Sequence, residues 1–154
     1  MVKVGIIGCG KIAQVRHIPE YLDNPNAKLT GLYDLNLQRA KELAEKYDCK
    51  SYESVEEMLA DPEIDAVSVC VANHVHAELT IAALKAGKPV LCEKPWATKL
   101  KDCQLKVDTA EQKSKKLMID QNKKFAKANA EAQKPIERED LGRVLTFNTT
   151  LGNV

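Results

Sequence analysis

The sequence of 154 residues is long enough for one domain with a substantial core, and its 23 basic and 22 acidic residues leave a net charge of +1. This balance gives no indication of a nucleic-acid or membrane-surface partner. No apolar run reaches the ~18 residues of a membrane-spanning helix, and the first residues lack the features of a signal peptide. Five cysteines without a C-x-x-C pair indicate a reduced, cytoplasmic protein, and we expect no metal site.

The stretch from Val2 to Ala13 predicts a buried strand followed by a turn rich in glycine. Gly8, Gly10 and Ala13 have the spacing G-x-G-x-x-A, and a helical pattern follows them. In this context the motif is typical of dinucleotide binding, because its glycines permit a tight turn and a close approach of the pyrophosphate to the backbone. An ordinary turn between a strand and a helix is the alternative interpretation.

The rest of the chain alternates between strand and helix patterns up to about residue 120. A break in the first helix is expected near His17 to Pro19. Ser54 to Glu57 reads as a capping box, and Gly87 as the cap that ends a helix. The other predicted strands are Lys28–Tyr33, Cys49–Tyr52, Asp65–Val71, Pro89–Cys92 and Leu117–Asp120. The other predicted helical segments carry Leu37 to Tyr47, Met58 and Leu59, Leu79 to Ala86, Thr98 to Lys116 and Asn122 to Arg138.

This alternation predicts an α/β protein with a doubly wound parallel sheet, the Rossmann fold, with strand order 3-2-1-4-5-6. We expect residues 1–120 to form a dinucleotide-binding domain. Residues 121–154 then read as a helical connection, a turn at Leu141-Gly142 and a strand at Arg143–Thr150. A lone strand at the end of a chain has little to pair with, so we interpret it as the first strand of a missing second α+β domain.

Asp34, at the end of the second predicted strand, is the second candidate for cofactor binding. A carboxylate at this position accepts hydrogen bonds from the adenosine ribose and repels a 2′-phosphate, which favours NAD over NADP. Asn36 and Arg39 lie close enough in sequence to leave use of both cofactors open. The alternative is a turn or helix-capping acid.

Two further loops follow the fourth and fifth strands, where a doubly wound sheet binds its ligands. Asn73 and His76 belong to the first loop and are expected near the nicotinamide half of the cofactor. The alternative is that Asn73 caps a helix and that His74 and His76 are solvated. Lys94 belongs to the second loop, where it can hold a substrate hydroxyl or assist proton transfer; the alternative is a surface charge.

With these features in this order along the sequence, the chain resembles the glucose–fructose oxidoreductase / inositol dehydrogenase family. The resemblance rests on GIIGCGKIAQVRHIPEY, on VANHVHAELTIAALKAGKPVLCEKP and on KLMIDQNKKF. The family commonly reads T-P-N-x-x-H in the second segment, where this chain has Val71 and Ala72 in place of Thr and Pro. In the third segment Asn122 and Phe125 match, whereas lysines 123 and 124 replace arginines.

The resemblance implies the roles of the candidate residues. The pyrophosphate turn would comprise Gly8, Gly10, Lys11 and Ile12, and Asp34 would bind the ribose. Asn73 and His76 would lie by the cofactor, Glu93 and Lys94 would lie beside the nicotinamide, and Lys94 would contact the substrate and assist catalysis. The family's other catalytic pair, an Asp and a His four residues later, lies in the second domain. The resemblance also implies a homo-oligomer for the full-length protein.

The sequence therefore favours the N-terminal half of an NAD-dependent oxidoreductase acting on a secondary alcohol of a sugar, inositol or similar polyol. We expect this chain alone to bind NAD with little turnover. A stand-alone module that binds or senses NAD, or that pairs with a partner subunit, is the alternative. A methyltransferase is a third candidate, against which Ala13 and the E-K-P run argue.

Overall fold

The computed structural model describes residues 1–122, 126–138, 140 and 142–146. The chain divides into two compact units, Met1–Asp120 and Gln121–Val154. The first unit contains a six-stranded parallel sheet, and it carries every residue of the candidate site. The predicted α/β class with a doubly wound sheet is confirmed.

The strands follow the predicted order, β3-β2-β1-β4-β5-β6. Parallel pairing places Ile7 of β1 between Tyr33 of β2 and Val69 of β4. The carboxyl ends of the strands therefore meet at one edge of the sheet, where ligands bind in this class of fold. The strand bounds are β1 Val2–Ile7, β2 Ala27–Tyr33, β3 Lys50–Ser51, β4 Ala66–Val69, β5 Val90–Cys92 and β6 Leu117–Ile119.

Two hydrophobic clusters cover the two faces of the sheet. Ile6 belongs to one cluster and Ile7 to the other, because successive side chains of a strand point to opposite faces. The helices that supply these clusters occupy both faces, as a doubly wound topology requires. The helix bounds in the first unit are α1 Ile18–Asp23, α2 Leu37–Tyr47, α3 Val55–Ala60, α4 His76–Lys85 and α5 Leu100–Gln112.

The predicted break near Pro19 is present as a change in helical geometry. A π-helical turn covers Ala13–His17, and α1 then begins at Ile18 with Pro19 in its first turn, where a missing N–H costs no helical hydrogen bond. The turn ends on His17, whose side chain is buried. This geometry directs His17 towards the sheet.

Two predicted helix caps are also present. The Ser54 hydroxyl accepts a hydrogen bond from the Glu57 N–H at 3.1 Å, although the Glu57 carboxylate accepts from the Glu53 N–H instead of completing the box at Ser54. Gly87 has a φ of +82°, and its N–H donates to the Leu84 carbonyl at 3.0 Å. A left-handed glycine of this kind ends helices because it carries no Cβ.

The second unit contains α6, Lys127–Glu137, which is shorter than the predicted helix Asn122–Arg138. The predicted strand at residues 143–150 is absent from its described part, since residues 143–146 have no regular structure. Residues 147–150, Leu141 of the predicted turn, and Lys123, Lys124 and Phe125 lie outside the described residues. Within the described ranges, each helix is too short or too polar to span a bilayer.

Candidate cofactor and substrate site

Gly8 is required by the backbone at the end of β1. Its φ is +97°, and its N–H donates to the Tyr33 carbonyl at 2.7 Å. A Cβ at this position would lie 2.6 Å from the carbonyl oxygen of Cys70. Any other residue would therefore be both strained and in collision with the backbone that follows β4.

Gly10 has different surroundings, because a Cβ there would meet no protein atom within 4 Å. The chain turns into a helix directly after it, and the Gln14 N–H donates to the Gly10 carbonyl at 3.2 Å. The first N–H groups of a helix lack partners within the helix and attract phosphate. The open space at Gly10 thus fits a pyrophosphate next to the backbone, as the glycine motif requires.

Asp34 connects the end of β2 to the glycine-rich turn. Its Oδ2 accepts from the Cys9 N–H at 2.7 Å, and its Oδ1 accepts from the Asn36 N–H at 2.8 Å. Arg39 Nη1 lies 3.5 Å from the same Oδ1. A carboxylate has about four acceptor positions, so these bonds leave capacity for ribose hydroxyls. The residue that caps α2 is Asn36 and not Asp34, since the Asn36 side chain accepts from the Arg39 N–H at 3.1 Å.

A cavity of about 520 Å³ joins these features. This volume lies within the range of small-molecule and cofactor sites. Five sequence-predicted residues lie on its wall, namely Gly8, Gly10, Lys11, Ile12 and Asp34. The opposite wall comes from the segment after β4 and from α4, including Val71, Ala72, His74, Val75, Glu78 and Leu79.

Asn73 and His76 do not line this cavity, whereas their neighbours Ala72, His74 and Val75 do. Asn73 is exposed and does not cap the short 3₁₀ turn or α4 with its side chain. His76 is 1% exposed, so the solvated alternative is wrong for this residue. Its Nδ1 lies 2.9 Å from the Pro95 carbonyl oxygen and its Nε2 lies 3.0 Å from that of Val71.

The neighbours of His76 and its burial shift the pKa of its imidazole in opposite directions. A hydrogen bond with the Cys92 thiol raises the pKa of the imidazole, and the Pro95 and Val71 carbonyls act in the same direction against the effect of burial. A protonated imidazole donates from both nitrogens, which suits two facing carbonyl oxygens. His76 therefore connects the segment after β4 to the segment after β5.

The segment after β5 comprises residues 93–96 and is called the Lys94 segment below. Glu93 is 6% exposed, whereas the Lys94 side chain is exposed and makes no hydrogen bond or ion pair within the described residues. Lys94 and Pro95 are joined by a cis peptide bond. The Lys94 N–H donates to Glu93 Oε2 at 3.1 Å, so the backbone of the segment is held while the ammonium group stays free.

Lys106 of α5 is a residue that the sequence analysis missed. It is fully buried, and its Nζ donates to the Trp96 carbonyl at 2.6 Å and contacts Cys92 Sγ at 3.4 Å. Its position in the apolar stripe between Cys103 and Ala110 was the available signal, since a lysine there must bury its stem and find an acceptor. Together with His76 it holds two successive carbonyls of the Lys94 segment.

His17 was also missed, and it lies in the only group of potential metal ligands among the described residues. His17 Nε2, Glu93 Oε1 and Asp120 Oδ2 lie within 4.8 Å of one another. Burial and the neighbouring Glu93 carboxylate raise the pKa of Asp120. His17 Nε2 lies 3.0 Å from Glu93 and 3.8 Å from Asp120, so these three side chains form a compact polar group that includes the first residue of the Lys94 segment.

The fold, the glycine-rich turn and the acidic residue after β2 define the first unit as a dinucleotide-binding domain. Residues 2–121 match the model of the oxidoreductase family with an NAD-binding Rossmann fold. The chain belongs to this family, and the resemblance inferred from the sequence is confirmed.

Similar proteins include sugar and inositol dehydrogenases. Glucose-6-phosphate 3-dehydrogenase of Bacillus subtilis (strain 168) is 34% identical over 147 residues, which are 96% of this chain and 41% of that protein. Myo-inositol 2-dehydrogenase of Thermotoga maritima is 30% identical over 142 residues, covering 92% of this chain and 42% of that protein. The chain thus spans about two fifths of the length of these curated relatives.

A solved structure shows the same architecture with the phosphorylated cofactor. The 3-ketoreductase from Actinomadura kijaniata, in complex with TDP-benzene and NADP, has a TM-score of 0.84 and 28% identity. The match covers 89% of this chain and 43% of that one. The family is therefore established for this chain, and the choice between NAD and NADP depends on its own residues.

Proposed function

We propose that the protein containing this chain transfers hydride between a nicotinamide dinucleotide and a secondary alcohol of a sugar, inositol or similar polyol. The observation that supports this proposal is the ammonium group of Lys94, which is exposed, has no partner within the described residues and follows β5 at the carboxyl edge of the sheet. The substrates in the names of the sugar and inositol dehydrogenases support the same class.

The residues of this chain are proposed to bind the cofactor and to orient the substrate. The backbone after Gly10 receives the pyrophosphate, and the free acceptor positions of Asp34 take the ribose hydroxyls. A bound nicotinamide supplies the carbon that accepts or donates the hydride. A base of the whole protein takes the hydroxyl proton as the hydride passes to the nicotinamide, and Lys94 donates a hydrogen bond to the substrate oxygen and stabilises the negative charge that grows there.

This proposal assigns different roles to Asn73, His76 and Glu93. His76 contacts the Pro95 carbonyl, and Glu93 accepts the Lys94 N–H, so both are proposed to act by positioning the Lys94 segment. Asn73, whose side chain is exposed between the cavity-lining residues Ala72 and His74 in sequence, is proposed to contact the cofactor directly. The homo-oligomer and the cytoplasmic location expected from the sequence stay predictions.

NAD is the proposed cofactor. Asp34 is buried to 9% exposure at the wall of the cavity, so a 2′-phosphate would be brought close to a poorly solvated carboxylate. Arg39 offsets this repulsion only in part, because its guanidinium group is half-exposed and 3.5 Å from the carboxylate. This combination supports NAD over NADP.

Lys94→Ala tests the proposed role of the lysine in hydride transfer. The variant is made in the protein expressed from its whole reading frame, and NADH formation is followed by absorbance with inositol and sugars as substrates. We expect kcat to fall by about 100-fold or more while NAD affinity is kept, since a positioned acid–base group is lost. Lys101→Ala, at an exposed lysine of α5, is the matched control, and equal rates for the two variants would contradict the proposal.

A further inference from the structure

His17, Glu93 and Asp120 meet at the carboxyl edge of the sheet from three separate segments. His17 ends the π-helical turn after the glycine-rich loop, Glu93 follows β5, and Asp120 follows β6. His17 is 3% exposed, and the side chains of Glu93 and Asp120 are 7% and 18% exposed. Polar groups buried to this degree need hydrogen-bond partners within the protein.

Glu93 joins two of these segments with its two oxygens. Its Oε1 lies 3.0 Å from His17 Nε2, and its Oε2 accepts the Lys94 N–H at 3.1 Å. One carboxylate therefore links the helical turn that follows the cofactor motif to the backbone of Lys94. Bonds to an ionised acceptor are roughly twice as strong as neutral ones, so this link is well suited to fix a loop.

Asp120 is the second carboxylate beside the His17 imidazole. Its Oδ2 lies 3.8 Å from the same His17 Nε2 that faces Glu93. Two carboxylates beside one nitrogen favour the form in which that nitrogen is an N–H donor. The Tyr21 ring, with its centroid 6.4 Å from that of His17, covers a further side of the imidazole.

We propose that His17 is a positioning residue which, through Glu93, fixes the Lys94 segment relative to the dinucleotide-binding turn, with Asp120 keeping the imidazole proton on Nε2. The effect of this positioning on catalysis rests on the proposed function of Lys94. The link from His17 through Glu93 to the Lys94 amide is a property of this chain and can be measured without turnover.

Hydrogen exchange of the Lys94 amide in the 154-residue chain tests the link directly. His17→Met removes the donor at similar volume, and we expect exchange of the Lys94 amide to accelerate at least about 10-fold as its acceptor loses its anchor. His17→Gln restores an N–H donor and should recover most of the protection. Tyr21→Phe, which removes a neighbouring, partly buried hydrogen bond to Ser68 and leaves the bonds of Glu93 in place, is the matched control.

Three outcomes would overturn the proposal. The first is equal exchange of the Lys94 amide in His17→Met and Tyr21→Phe, and the second is an imidazole protonated on Nδ1 instead of Nε2 in ¹⁵N spectra of the unmodified chain. The spectra need no substitution, so they decide the matter even if His17→Met fails to fold. The third is a loss of Lys94 protection on adding EDTA, which would make the three side chains a metal site instead.

The fluorescence of Trp96 gives a second readout, because it is the only tryptophan in the sequence and belongs to the Lys94 segment. Its side chain is 40% exposed, so a freed segment should be quenched more strongly by acrylamide. We expect greater quenching in His17→Met than in His17→Gln. A failure of the chain to bind NAD would contradict the proposed function and leave these two readouts unaffected.

Discussion

Gly8 and Gly10 are two residues apart but have opposite surroundings. A Cβ at Gly8 would lie 2.6 Å from a backbone oxygen, whereas one at Gly10 would enter open space beside the proposed pyrophosphate. The glycine at position 8 is therefore required for folding, and the one at position 10 for the ligand. The sequence motif requires glycine at both positions and does not distinguish the two reasons.

Two alanine substitutions separate these roles. Gly8→Ala should lower the free energy of unfolding by about 2 kcal/mol or more, since it combines a positive φ with a backbone collision. Gly10→Ala should change it by less than about 0.5 kcal/mol. Urea denaturation measures both, and a Gly10→Ala variant as unstable as Gly8→Ala would show that the open space is not there in solution.

Among single residues, the sequence predicted those whose role follows from the backbone. Gly8, Gly10 and Asp34 were identified because their spacing determines which backbone they serve. His76 was placed at the cofactor, yet its imidazole is directed towards Pro95 and Val71. The direction of a buried side chain depends on partners that are distant in sequence, and no local pattern encodes it.

At the scale of secondary structure elements, Asp61 joins the edge strand β3 to the end of α3. Its Oδ2 accepts from Lys50 Nζ at 2.9 Å and from the Tyr52 hydroxyl at 2.8 Å. The hydrogen bond from Lys50, followed by those from the Glu63 N–H and Tyr52, lowers the pKa of Asp61 from its usual 3.8 to about 2. Lys50 belongs to the two-residue strand β3 and Tyr52 follows it directly, so these bonds to Asp61 help to hold this edge strand.

Asp61 should therefore add to the acid sensitivity of the fold. Its pKa is lower in the folded than in the unfolded state, so its stabilising effect is complete above about pH 4 and is lost as the pH falls towards 2. Asp61→Asn should flatten the profile of unfolding free energy between these values. Urea denaturation at several pH values measures this, with Glu56→Gln at an exposed acid of α3 as control; parallel wild-type and Asp61→Asn profiles would contradict it.

The elements themselves were predicted well where periodicity and turn residues agree. The caps at Ser54 and Gly87 follow from local rules, and the strand order is the usual one of the doubly wound fold class. The π-helical geometry of Ala13–His17 was not predicted, because nothing in the sequence beyond Pro19 signals it. Helix α5 is also shorter than its charged, helix-favouring sequence indicated, starting at Leu100 instead of Thr98.

On the scale of the whole molecule, the first unit has the complete architecture of a dinucleotide-binding domain. The glycine-rich turn, Asp34 and the Lys94 segment all lie at the carboxyl edge of one sheet. Three buried side chains of this unit contact residues of the Lys94 segment: His17 contacts Glu93, His76 contacts Pro95 and Lys106 contacts Trp96. The sequence did not predict these three contacts, because each joins residues that are far apart along the chain.

The most direct test of the account is calorimetric titration of the 154-residue chain with NADH and with NADPH. We predict one NADH bound per chain, with an affinity at least about 10-fold higher than for NADPH, or about 1.4 kcal/mol, because Asp34 repels the 2′-phosphate. Asp34→Asn should narrow this ratio, and Gly10→Ala should abolish binding of both. An absence of saturable NADH binding, or tighter binding of NADPH by the unmodified chain, would contradict the account.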